Sequence, residues 1–235
     1  MPTLPCLSGS TTPEGCLAWN EVSLDLPDVC NTNEVNRKPL VVFLEGTQPT
    51  DHDRTVLSQT FNIPIAFWSR LCQDASSFFW AGDDDTGSYT TAFRFLIKHN
   101  SNIAARRDML PAYRWQKLGF VTFHTSRQSS VVLCFDLAGD ARAHVREKLV
   151  ESKITTSDLH SFSIHTAILG YVVEQLDQAV WSWRDAVRAI EKARSNGQHS
   201  AFGDFNHMHE VARHLIHNSE MLTNALSVVD SRRRV

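Results

Sequence analysis

No run in this sequence approaches the roughly 18 to 20 consecutive apolar residues needed to cross a bilayer; the nearest is the short stretch from Ile168 to Val173. As written, the chain spans nothing. Its first ten residues, Met1 to Ser10, hold no basic side chain and no apolar core, so a cleaved secretion signal is not supported. Cysteine is sparse: Cys6, Cys16, Cys30, Cys72 and Cys134 are odd in number and widely spaced, without a Cys-x-x-Cys. That pattern argues against a disulfide framework and a zinc knuckle, and predicts free thiols in a cytoplasmic setting. An excess of basic charge is also missing. Lys and Arg number 23 against 26 Asp and Glu, a net charge of −3, too little for counterion release on nucleic acid. Gly-x-Ser-x-Gly, a Walker phosphate loop and Gly-x-Gly-x-x-Gly are all absent. Cys134 sits in a strand-like apolar run, and Asp136, Asp140 and His144 make no triad, so the sequence reads as non-enzymatic.

What is present suffices for a core, with 42% hydrophobic residues in 235. Residues 1–38 mix Pro, Ser, Thr, Asn and Gly without a sustained period and read as a weakly ordered lead-in, in which Leu17, Trp19, Val22, Leu24 and Leu26 suit one edge strand. A head domain over 39–156 follows. Pro39 to Glu45 is apolar and rich in β-branched residues, the pattern of a strand buried on both faces. The spacing predicts two short helices between Thr50 and Cys72, joined near Pro64. Ala81 to Gly87 reads as a turn, Tyr89 to Lys98 as a half-buried strand, and Trp115 to Thr125 with Ser129 to Ala138 as a hairpin.

Residues 157–235 read as a helical hairpin or stalk. From Asp158 to Arg194, His165, Ile168, Leu169, Val172, Leu176, Ala179, Val180, Trp183, Val187 and Ile190 fall within about 120° of arc. A helix of that span is roughly 55 Å long and needs a long partner. Asp204 can cap one running to Ser231, with an apolar stripe of Met208, Val211, Ala212, Leu215, Leu222, Leu226 and Val229 at coiled-coil-like steps. The fold class expected is α+β, an α/β head with a mainly antiparallel sheet, followed by a long antiparallel helical hairpin.

Three clusters invite chemistry. Asp83, Asp84 and Asp85 offer carboxylate oxygens to a hard cation, although a loop begun at Asp83 lacks the EF-hand glycine and glutamate. Weak Mg2+ binding there is the one cofactor expectation. His207, Glu210, His214 and His217 lie within about 80° on one helix, and His207, Glu210 and His214 form a second candidate metal set without the His-Glu-x-x-His spacing. The bland account makes the first an exposed acidic turn and the second a solvated flank. Trp181 faces away from Trp183, so one partner cannot bury both. With Arg184 and Arg188 it marks either packing on the chain's own β-domain or an interface.

The order of parts resembles the cytosolic region of the CorA-like divalent-cation (magnesium) transporter family, above all its divergent fungal members. Leu57 to Arg70 looks like the family's short helix leading to a hydrophobic pair, Tyr89 to Lys98 and Leu118 to Asp136 look like its meandering strands, and Asp204 to His217 looks like the start of its stalk helix. The resemblance covers residues 40–230 by pattern. The family's Gly-Met-Asn signature and membrane segments have no counterpart before Val235, so no pore residue carries over. The resemblance implies a head and stalk that oligomerise and sense a divalent cation through acidic groups between protomers, without transport of their own.

Two functions follow as expectations. The first is a CorA-like cytosolic domain acting in oligomerisation and divalent-cation sensing. The second is a non-catalytic accessory or scaffold protein, such as one of a fungal biosynthetic cluster, binding another protein through its long helices. A pocket lined by His124, Cys134 or Asp136 would instead favour an enzyme.

Overall fold

The computed structural model describes residues 3–31, 38–44, 49–84, 87–101, 112–125, 129–137, 139–155, 163–195 and 201–232. The strands are β1 (Leu4–Thr11), β2 (Leu17–Leu24), β3 (Leu40–Leu44), β4 (Ser77–Asp83), β5 (Tyr89–Asn100), β6 (Tyr113–His124) and β7 (Ser130–Phe135). The helices are α1 (Leu26–Cys30), α2 (Asp51–Phe61), α3 (Arg70–Asp74), α4 (Ala141–Glu151), α5 (Ser163–Ser195) and α6 (Ala201–Arg232), with a 3-10 turn at Ile65–Trp68. The strands form one sheet in the order β2-β1-β3-β7-β6-β5-β4. Only β3 and β7 run parallel; every other neighbouring pair is antiparallel. The expected α+β class is the observed one, and α5 and α6 follow as consecutive long helices in a hairpin.

The continuous apolar runs of β3 and β7 exist because helices cover both faces. Val41, Phe43, Val132 and Cys134 face one core, shared with Ala141, Val145 and Leu149 of α4 and Ile168, Tyr171 and Val172 of α5. Val42, Leu44, Leu133 and Phe135 face the other, with Leu57 and Phe61 of α2 and Phe67 of the 3-10 turn. Thr50 starts α2 with a capping box: its hydroxyl accepts from the Asp53 N–H while the Asp53 carboxylate accepts from the Thr50 N–H.

Two strands and a short helix stand where the composition predicts a weakly ordered lead-in. The expected edge strand is β2, and β1 lies inside it, paired on both sides. The Ser, Gly and Pro content of β1 carries little intrinsic strand preference; backbone bonds from two neighbours supply the order instead. Gly9 admits this pairing, since a Cβ there would lie 2.6 Å from Pro39 Cγ. Strand β4 and helix α4 were also left unassigned: Ala81 to Asp83, expected in the turn, end β4, held there by pairing with Tyr89 to Thr91 of β5. The only apolar stripe of α4 is Ala141, Val145 and Leu149, spaced by four among charged residues.

Strands β5 and β6 are 12 residues long and outrun β4 and β7. Beyond Phe95, the last partner of β4, one edge of β5 has no strand beside it among the described residues. The helical hairpin closes that edge with side chains. The Lys98 N–H donates to Met221 Sδ of α6 at 3.3 Å, and Trp183 Nε1 of α5 donates to the Lys98 carbonyl at 3.0 Å. The Asn100 N–H donates to Ser182 Oγ at 3.3 Å, and Asn100 Nδ2 to the Ser182 carbonyl at 3.2 Å. The hairpin is thus docked at a fixed register on the long sheet hairpin.

Candidate functional site

Helix α6 decides what the docked hairpin presents. Its buried residues are Val211, His214, Asn218, Met221, Ala225 and Val228, at steps of three and four. One residue further on, Ala212, Leu215, Ser219, Leu222, Leu226 and Val229 repeat the same steps, and Phe205 and Met208 extend them backwards. An offset of one residue turns the second row about 100° away from the first. In this second row Phe205 is 69% exposed, Leu215 40% and Leu226 65%, while Leu222 is half-buried against the core. The stripe expected to face α5 is therefore mostly the outer row; only Val211 of that stripe belongs to the inner one. Apolar pattern misled here because the inner row holds two polar residues, His214 and Asn218.

Each candidate residue has a definite place. Asp83 ends β4, exposed. Asp84 closes the turn to β5: its Oδ1 accepts from the Ser88 N–H at 2.9 Å, and its carbonyl from the Gly87 N–H at 3.2 Å. Asp85 lies outside the described residues, as does the side chain of His207. Glu210 is engaged by Arg213, while the His214 ring is buried 4.6 Å from Trp183 and 4.9 Å from Tyr113 between ring centroids. Among the described residues no group of three His, Cys, Asp or Glu is placed to hold a metal. Trp183 is fully buried and Trp181 is 47% exposed. The Trp181 indole donates to Asp177 at 3.1 Å and lies 4.1 Å beneath the Arg184 guanidinium, with Arg188 exposed further along.

The residues that would have signalled an enzyme are engaged separately. Cys134 is buried, and burial pushes its thiol well above the usual range; burial likewise pushes Cys6 up to about 12. Neither thiol is available as a thiolate near neutral pH. His124 Nδ1 meets Ser130 Oγ at 2.7 Å, and His165 Nε2 meets Thr91 Oγ1 at 3.0 Å, in a polar layer under the start of α5. A cleft of about 330 Å³ is lined instead by Leu96, Trp115, His217, Glu220, Met221 and Asn224, among others, between α6 and the sheet.

Asp136 takes part in an ion pair the sequence did not disclose, between a buried arginine and a carboxylate at the surface. Arg94 of β5 is buried, with its guanidinium 4.1 Å over the Phe67 ring, and its Nη1 donates to Asp136 Oδ2 at 3.2 Å. To reach Asp136 it crosses β6 at Gly119, where a Cβ would lie 3.0 Å from Nη1 and 3.2 Å from Cζ. Gly119→Ala should displace the guanidinium and destabilise the fold by about 1–3 kcal/mol. A double-mutant cycle in urea checks this: Asp136→Asn should cost clearly less in the Gly119→Ala background than alone. Full additivity would show that Gly119 does not serve the pair.

No family model matches the sequence. Over 122 residues the chain is 29% identical to the notoamide biosynthesis cluster protein M' of Aspergillus versicolor, a stretch covering 47% of this chain and 26% of that protein. The chain thus spans about a quarter of the length of this relative. The cytoplasmic domain of ZntB from Vibrio parahaemolyticus aligns along 100% of both chains, at 14% sequence identity and a TM-score of 0.33. No helix among the described residues is long and apolar enough to cross a membrane.

Proposed function

We propose that this chain is a soluble, non-catalytic domain that works by self-association through its helical hairpin, in the manner of a CorA-like cytosolic head and stalk. The observation that carries the reading is the outer row of α6. Two heptad rows on one helix are more than docking to its own head requires, and Phe205, Ala212, Leu215, Ser219 and Leu226 of the second row are exposed. A row of Phe205, Met208, Ala212, Leu215, Ser219, Leu222, Leu226 and Val229 has no charged member, so an identical row from another copy meets it without like-charge repulsion. The Trp181, Arg184 and Arg188 face of α5 is the second surface in this reading.

Sedimentation equilibrium tests it. The wild-type chain should sediment as a defined oligomer at micromolar concentration. Leu215→Glu with Leu226→Glu should weaken association by a hundredfold or more, because each places an unpaired carboxylate in a buried seam. Their melting temperature, measured where the chain is monomeric, should stay near that of wild type. Trp181→Ala should lower the mass only if the α5 face takes part. A wild-type monomer at tens of micromolar would end the self-association reading. The resemblance to the CorA-like region adds divalent-cation sensing, and repeating the measurement with millimolar magnesium tests that addition: an unchanged mass and melting temperature rule it out.

Similarity to a biosynthesis cluster protein favours a second reading, an accessory or scaffold protein whose hairpin binds a different chain. A monomer that turns into a one-to-one complex with such a partner is its expected behaviour.

A further inference from the structure

Helix α6 is docked by the less apolar of its two rows. The inner row buries the His214 imidazole and the Asn218 amide at 2% and 4% exposure, and Nδ1 of His214 and both Oδ1 and Nδ2 of Asn218 have no hydrogen-bond partner. Buried polar groups are normally satisfied, and each unmade bond is a standing cost of this arrangement. The outer row has the opposite fault, since Phe205, Leu215 and Leu226 are apolar and exposed. The rows run parallel at an offset of one residue, so turning α6 by about 100° about its own axis carries the outer row into the place of the inner one. Leu215 then stands where His214 meets Trp183 and Tyr113, Ser219 replaces Asn218, Leu222 replaces Met221 and Val229 replaces Val228. His214, Asn218, Met221 and Val228 move to the places now held by Arg213, His217, Glu220 and Ser227, all exposed. Leu226 for Ala225 is the clear enlargement, and Ala212 for Val211 and Ser219 for Asn218 are reductions.

The way the hairpin is fastened permits such a turn. Trp183 and Ser182, both of α5, bind the Lys98 carbonyl and the Asn100 N–H on the edge of β5 beyond Phe95, and neither bond involves α6. Helix α6 contributes the Met221 sulfur on the Lys98 N–H at 3.3 Å and the Asn224 amide on Ser76 Oγ at 2.7 Å, two side-chain contacts. Packed helices switch between discrete arrangements rather than deform continuously. We propose that α6 has two docked registers on the head: the one observed, which presents the outer row, and a second, turned by one residue, which buries that row and returns His214 and Asn218 to water. The turn is a property of a single chain. Its consequence, that the second register withdraws the seam and switches assembly off, rests on the self-association reading.

Thiol labelling of the full chain, resolved peptide by peptide by mass spectrometry, tests it at a concentration where the chain is monomeric. Val228→Cys probes the inner row and Ser219→Cys the outer one, while the natural Cys134, buried in β7, reports global unfolding. Val228→Cys should react at least tenfold faster than Cys134. Adding His214→Leu with Asn218→Leu, which replaces both unsatisfied groups by apolar ones, should slow it at least tenfold. Met221→Lys puts an ammonium against the Lys98 backbone and should drive the turn, so that Ser219→Cys loses at least tenfold in reactivity while Val228→Cys gains and Cys134 stays protected. Should Met221→Lys expose Cys134 as well, the leucine pair decides alone. Ser219→Cys left fully reactive by Met221→Lys in a chain that still protects Cys134 would mean that α6 detaches without turning, and overturns the proposal. So does Val228→Cys reacting no faster than Cys134, or at a rate that the leucine pair leaves unchanged. Protection of Ser219→Cys that grows with protein concentration belongs to self-association, and protection independent of concentration belongs to the turn, so the two readings fail separately.

Discussion

Trp183→Ala is expected to remove about 3–5 kcal/mol of stability, the range for emptying a buried aromatic site, and to do so by undocking the helical hairpin. The side chain is fully buried, and it acts on both partners of the contact at once. Its ring lies against His214 of α6, and its Nε1 donates to the Lys98 carbonyl on the strandless edge of β5. Truncation leaves a void between α5, α6 and β5, and leaves that carbonyl facing it unpaired. Trp183→Phe separates the two effects. It keeps most of the packing and loses the donor, so it should cost about 1–3 kcal/mol. Urea unfolding followed by circular dichroism measures both, and helical signal should be lost at lower urea than the sheet signal if the hairpin leaves first. A loss below about 1 kcal/mol for the alanine variant would mean that the edge is held by Met221 and Ser182 without it.

How far the sequence discloses such a contact depends on whether its residues obey a period. β3, β5, β6 and β7 were legible because apolar runs and alternation of side chains survive in them. The long helix from Ser163 was legible for the same reason, and so was the separation of Trp181 from Trp183. β1 was not, because its order comes from neighbours on both sides rather than from its own residues. The inner row of α6 was misread because His214 and Asn218 break its apolar pattern, while the exposed outer row keeps it. Arg94, Gly119 and Asp136 are far apart in sequence and meet only through the register of three strands. Lys98 likewise reads as the polar member of an alternating strand and gains its burial from the Tyr113 and Trp115 rings of β6 and from the docked hairpin. The polar residues with the most demanding surroundings were therefore the least visible.

Acid should release the same helix through His214. Burial is the main cause that holds its imidazole down at about 4 from an ordinary 6.5, with Lys98 and Arg213 adding repulsion, His217 adding a little, and Glu210 opposing them. A histidine with a depressed folded value is kept neutral by the fold, whereas the unfolded chain takes up a proton below pH 6.5. Its contribution is therefore fully present above pH 6.5 and is lost as the pH falls towards 4, by about 3 kcal/mol in all. The protonated ring would sit between Trp183 and Tyr113, and beside a lysine whose own charge burial already disfavours. Equilibrium unfolding at a series of pH values from 7.5 to 4 should show this decline, with the α6 helical signal weakening first. His214→Phe keeps a ring in the gap and removes the titration, so its stability should vary less over the same interval by about that amount. If wild type and His214→Phe fall in parallel, the acid sensitivity belongs to carboxylates elsewhere and the buried imidazole does not govern the docking of α6.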